Sequence, residues 1–184
     1  MNISATTKPN VSLFNALEDF VRQHPHGNFF QSPSGFNFFE GVENFQPCLI
    51  TAQKDHQLVA SLLAVNIKES GGPKGFFSRR CIIFGGPLIS EDAADPQAIL
   101  QDLLRELHNN TASIYTEFRN HFDLSGLQDA FEREGYDFNP HLNYIVTVED
   151  DAEKSMLLLN SSKRRQGRKS LKNGAGIREA ESME

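Results

Sequence analysis

The chain has 184 residues and a mass of 20.7 kDa, enough for one large domain with a core that needs no disulfide or metal staple. Hydrophobic residues at 39% and charged residues at 23% exclude wholesale disorder, a collagen-like repeat and a disulfide scaffold. A net charge of −6 excludes a protein that coats nucleic acid over its whole surface.

The polar stretch 1–11 reads as a loose N-terminus. Ser12 reads as the N-cap of a helix with Leu13, Leu17, Phe20 and Val21 on one face, stopped at His24-Pro25-His26-Gly27. Ser32 and Pro33 open a second, aromatic helix that runs to about Glu40. Gln46–Lys54 and Gln57–Lys68 form an antiparallel hairpin around Asp55-His56, and Arg80–Phe84 gives a third strand ended by Gly85-Gly86-Pro87. Asp95-Pro96 starts the clearest helix, with a stripe of Ile99, Leu100, Leu103, Leu104 and Leu107. A strand at Ala112–Phe118, a helix from Ser125 to Glu134 and a strand at Tyr136–Val148 follow. A helical stretch near Ala152–Leu159 and a short extended piece at Gly174–Ile177 complete the series. The predicted fold is an α/β (α+β) domain, a mixed and mostly antiparallel sheet with helices on both faces.

Charge is uneven. Positions 163–172 hold six basic residues and no acid, which leaves a body of 12 basic against 24 acidic residues. Lys163, Arg164, Arg165, Arg168 and Lys169 are therefore the candidates for contact with RNA or lipid phosphates; the alternative is a solvated helix face. No aromatic accompanies them, so base stacking is unsupported there. Cys48 and Cys81 lie in apolar runs and read as buried free thiols of a reducing compartment. No secretory leader and no membrane span is visible, which places the protein in the cytoplasm, or peripherally at the inner membrane face. His24 and His26 have a two-ligand spacing without a third ligand, so no metal is expected.

The element order resembles the GNAT acyltransferase fold. Phe30-Gln31-Ser32-Pro33, Leu58–Val65, Gly85-Gly86-Pro87, Glu117-Phe118-Arg119-Asn120, His141-Leu142-Asn143-Tyr144 and the basic strip ending in Gly174–Ile177 occur in the order found in the FemAB family. These are the GNAT-like aminoacyltransferases of peptidoglycan cross-bridge synthesis. The resemblance implies transfer of an amino acid from aminoacyl-tRNA to a peptidoglycan precursor. It implies a first GNAT-like domain over 12–160, with 161–184 leading toward a second domain supplied in cis or in trans. Gln31, Ser32, Arg119, His141 and Asn143 are the substrate-binding candidates it suggests, and no catalytic residue is assigned. Acetyl-CoA is not expected. In a GNAT enzyme its pyrophosphate would meet the segment Gly85–Asp92, where Pro87 lacks an N–H and Glu91, Asp92 and Asp95 bring like charge. Arg164-x-x-Gly167 imitates a CoA motif but breaks at Lys169. The alternatives are a non-catalytic interaction domain and a CoA-dependent N-acyltransferase. A missing partner domain would leave Phe36, Phe38 and Phe39 as an exposed apolar patch.

Overall fold

The computed structural model describes residues 1–68, 77–139 and 148–176. The chain divides into two compact units, Met1–His141 and Leu142–Glu184.

The first unit is built on a hairpin. Strands β2 (Phe45–Lys54) and β3 (Gln57–Ile67) pair antiparallel across Asp55-His56. Both turn residues sit at positive φ, 51° and 65°, the mirror-image turn that suits the right-handed twist of paired strands. Strand β1 (Asn2–Thr6) lies antiparallel on the outer edge of β2, with the Ser4 and Thr51 hydroxyls 3.2 Å apart. The N-terminus read as loose thus contains an edge strand. Its small and β-branched residues, short of obvious apolar alternation, become a strand because β2 presents free backbone groups to them.

Strand β4 (Arg80–Phe84) pairs antiparallel with β3. A short strand β5 (Leu88–Ile89), absent from the sequence reading, continues along β3 after the glycines. Strand β6 (Tyr115–Arg119) pairs parallel to β4, and the sheet order is β1-β2-β3-β4-β6.

Helices cover both faces because adjacent residues of a strand point in opposite directions. On one face α1 (Val11–Gln23) and α2 (Pro33–Glu40) pack Leu17, Val21, Phe36 and Phe39 against Leu49, Leu63, Val65, Ile67 and Ile82. On the other, α3 (Pro96–Asn110) and α4 (Gln128–Arg133) pack Leu100, Leu103, Leu104, Leu107 and Phe131 against Cys48, Ile50, Leu62, Ala64, Cys81 and Ile83. The architecture is the mixed sheet between helical layers that the sequence predicts.

The caps differ in detail. Helix α1 is capped by Asn10, whose Oδ1 accepts the Leu13 N–H at 2.8 Å, and Ser12 lies inside the first turn. Ser32 caps α2 and Asp95 caps α3, as their positions before Pro33 and Pro96 suggest. Ser125 begins a 3-10 turn, Ser125–Leu127, and its own N–H is held by Asp123, before α4 starts. Phe36 and Phe39 are buried in the α2 face, and only Phe38 stands out, 54% exposed. The expected three-ring surface patch is therefore a core element plus one outer ring.

In the second unit α5 (Ala152–Leu158) is capped by Asp151 and α6 (Ser161–Lys172) by Asn160. The expected strand Tyr136–Val148 falls mostly outside the described residues, and Gly174–Gly176 form no strand.

Candidate functional site

The site grows from a defect in the sheet. Ile83 faces Ala64 and Leu88 faces Ser61, so Phe84–Pro87 oppose only Leu62 and Leu63. Two extra residues bulge from the β4–β5 strand. Gly85 and Gly86, at φ +80° and +79°, form the bulge, in a left-handed conformation that glycine adopts without a Cβ penalty.

The bulge would strand the backbone of Leu63 without a ladder partner. Gln31 replaces it. Its Oε1 accepts the Leu63 N–H at 2.7 Å, and its Nε2 donates to the carbonyls of Leu63 and Phe84 at 3.2 and 2.7 Å. Gln31 is fully buried, so the structure commits its amide to the sheet. Ser32 is buried as well. Its Oγ accepts the Gly35 N–H and donates to the Phe29 carbonyl.

The parallel partner ends at the same place. The Gly85 N–H donates to the Arg119 carbonyl at 3.0 Å, the last backbone bond between the two strands. Beyond it β5 stays on β3 while the ladder to β6 stops, so the two parallel strands part. Around the parting lie Asn28, against Gly85, and Asn120 and Phe122, against Gly86. A Cβ on Gly85 would collide with Asn28 and one on Gly86 with Asn120, the latter also touching Phe122. Asn28 Nδ2 donates to the His26 and Gly85 carbonyls, while its Oδ1 is buried with no hydrogen-bond partner.

Two histidines flank this wedge. His24 Nδ1 accepts the His26 N–H, and His24 Nε2 lies 2.8 Å from the Ile89 carbonyl. These contacts require the neutral ring with its proton on Nε2, and they tie the end of α1 to β5. The exposed His26 ring stacks on Phe122, 4.2 Å between centroids and 4° from parallel. Arg119 leaves the end of β6 with its guanidinium paired to Glu117 at 2.8 and 3.3 Å and 5.4 Å from the centroid of Phe84. The hydrogen bond from Arg119 holds the Glu117 carboxyl below its ordinary pKa.

Of the predicted site residues, Gln31 and Arg119 thus meet at the bulge, one inside the sheet and one at its rim. His141 and Asn143 lie outside the described residues. Lys163, Arg164, Arg165, Arg168 and Lys169 lie on α6 in the second unit. Sequence reasoning missed Asn28 and Phe122 and held Asn120 only as the end of the Glu117-Phe118-Arg119-Asn120 motif, outside the site candidates. The one signal that pointed to them was a glycine pair inside a strand pattern, which marks a bulge or a close approach. Among the described residues no group of three or more His, Cys, Asp or Glu is placed to hold a metal. No helix among them is long and apolar enough to cross a membrane.

No family model and no curated protein matches the sequence. Solved structures match the fold. An aminoglycoside 6'-N-acetyltransferase, AAC(6')-IG of Acinetobacter haemolyticus, is 13% identical, with a TM-score of 0.53 over 82% of this chain and all of its own. The ribosomal-protein-alanine N-acetyltransferase of Brucella melitensis is 9% identical, with a TM-score of 0.50 over 80% of this chain and all of its own. The aminoglycoside N-acetyltransferase AAC(6')-Iy, solved in complex with CoA, is 9% identical, with a TM-score of 0.51 over 78% of this chain and 92% of its own. The fold is therefore GNAT-like, and the likeness does not extend to the FemAB family in particular.

The sequence-based exclusion of acetyl-CoA is corrected by the same finding, since a protein of this fold is solved with CoA bound. The physical reason lies in where the acids go. The Asp95 carboxylate accepts the Ala98 N–H at 2.9 Å as the α3 cap, and Glu91 and Asp92 are exposed turn residues. In water two unit charges at 4 Å interact by only about 1 kcal/mol.

Proposed function

We propose that the chain is an N-acyltransferase that takes an acyl group from a CoA thioester and passes it to an amine. The observation that carries this reading is the parting of the parallel strands at the Gly85-Gly86 bulge, on a fold shared with N-acetyltransferases. The residues present fit the donor. Gly85 and Gly86 are buried, with Asn28 and Asn120 packed where a Cβ would stand, and the unpartnered Asn28 Oδ1 at that point is an acceptor for an amide N–H of a pantetheine arm. At the start of α3, Pro96 has no N–H and Ala98 is bonded to the cap. By position Gln97 N–H has no acceptor within the helix, and it supports an anion there together with the helix dipole.

The bound thioester supplies an acyl carbon already activated toward an amine. What remains for the protein is to hold the amine in line, exclude water and take a proton. Phe122 and Asn28 wall the wedge. His26, exposed beside it, is the imidazole that accepts the proton lost by the amine. An aminoacyl-tRNA donor and a peptidoglycan-precursor acceptor, implied by the FemAB resemblance, are supported by no contact among the described residues.

Calorimetry with acetyl-CoA tests the reading. Saturable binding in the micromolar range is expected, with thiol release in the presence of primary amines. His26→Gln lowers kcat/KM by about a hundredfold, the scale of one general base, and leaves acetyl-CoA affinity unchanged. Absence of saturable acetyl-CoA binding overturns the reading, and turnover with aminoacyl-tRNA in its place restores the FemAB alternative.

A further inference from the structure

The second unit presents a different chemistry from the wedge. In α6, successive residues rotate by about 100°, which brings Arg164, Arg168, Lys172, Arg165 and Lys169 into one arc of about 140°. No acid interrupts it. Leu171, 63% exposed, borders that arc. Directly before α6 come Leu157 and Leu158, 63% and 57% exposed, and Leu159. The Met156 side chain of α5 lies beside Gly167 of α6. Of the acids of this unit, Glu149, Asp150, Asp151 and Glu153 precede or open α5, on the far side of the leucines in sequence, and Glu179, Glu181 and Glu184 follow α6.

Exposed leucines next to an uninterrupted cationic helix face have no use for water. Nor do they suit RNA, which binds through phosphate contacts and aromatic stacking, since positions 148–176 contain no aromatic residue. The combination fits one surface, in which anionic headgroups meet the cations and the acyl region below takes the leucines. We infer that α6 and the α5–α6 junction dock the protein peripherally on an anionic lipid bilayer. The inference is independent of the acyltransferase reading.

Co-sedimentation of the full chain tests it, with vesicles of phosphatidylserine and phosphatidylcholine against vesicles of phosphatidylcholine alone. Binding to the anionic vesicles only is expected. The triple change Arg164→Glu, Arg165→Glu and Arg168→Glu lowers partitioning by more than about tenfold, and high salt has the same effect on the unaltered chain. The pair Leu157→Ser and Leu158→Ser lowers it by a factor that salt does not change. All five positions lie on the surface or at a partly exposed helix face, so the far-UV spectrum and melting temperature stay constant. Failure to sediment with anionic vesicles overturns the inference. So does tighter binding to a ribo-oligonucleotide that the triple change removes and the leucine pair leaves intact, which would make α6 an RNA contact.

Discussion

At the scale of single residues, Gln31 shows how a polar side chain can substitute for a strand. Its three hydrogen bonds take up one N–H and two C=O groups that the bulge would leave unpaired in the core. Each unsatisfied buried group costs about 1–3 kcal/mol. Gln31→Met keeps the volume and removes the bonds, so urea unfolding will show a loss of about 2–4 kcal/mol. A loss below about 0.5 kcal/mol would mean that the amide is not a structural plug. Cys81 makes a second prediction. Burial, followed by the neighbouring Cys48, pushes its thiol up to about 12, against about 8.5 for a free thiol. A folded pKa above the unfolded one means that stability is fully present below about pH 8.5 and declines as pH rises toward 12. Burial raises Cys48 and Tyr136 in the same direction. The urea midpoint should therefore fall between pH 8.5 and 11, and Cys81→Ala should reduce that slope; an unchanged slope would remove Cys81 as its source.

At the scale of elements, the β4–β5 strand decides the site. A straight strand would keep its ladder to β6 and leave no wedge. The two left-handed glycines break the register by two residues without exposing a buried polar backbone, because Gln31 fills the gap. Gly86→Ala adds a left-handed strain of about 1–2 kcal/mol and pushes on the Asn120 side chain. A loss of about 1–3 kcal/mol is expected, with weaker acetyl-CoA binding. Gly126→Ala is the control, since nothing lies within 4 Å of its added methyl and its φ is ordinary. Equal effects at both positions would show that the bulge has no special requirement for glycine. The elements with strong local signals were legible in the sequence: the hairpin, the stripe of α3, the caps Ser32 and Asp95. Strands β1 and β5 were not, because a five-residue edge and a two-residue continuation contain too few positions for a period to show.

At the scale of the whole molecule, the sheet separates two cores. Leu17 and Leu103 are both fully buried, one against each face. Each change to Ala should cost about 2–5 kcal/mol. Because the sheet lies between them and they share no cluster, the double change should equal the two singles within about 0.5 kcal/mol. A larger coupling would show that the faces communicate through the strands. The sequence by itself determined the layered α/β architecture, since the continuous apolar runs of β2 and β3 call for cover on both faces and the stripes of α1 and α3 supply it. It also isolated the basic helix, a charge pattern that needs no neighbour to be seen. The site was decided by tertiary structure alone. Asn28, Gly85, Gly86, Asn120 and Phe122 come from three separate segments, and only the pairing of β4 with both β3 and β6 brings them together. The same pairing turned Gln31 from a candidate for binding into a part of the sheet, because its amide found its partners 32 and 53 residues away.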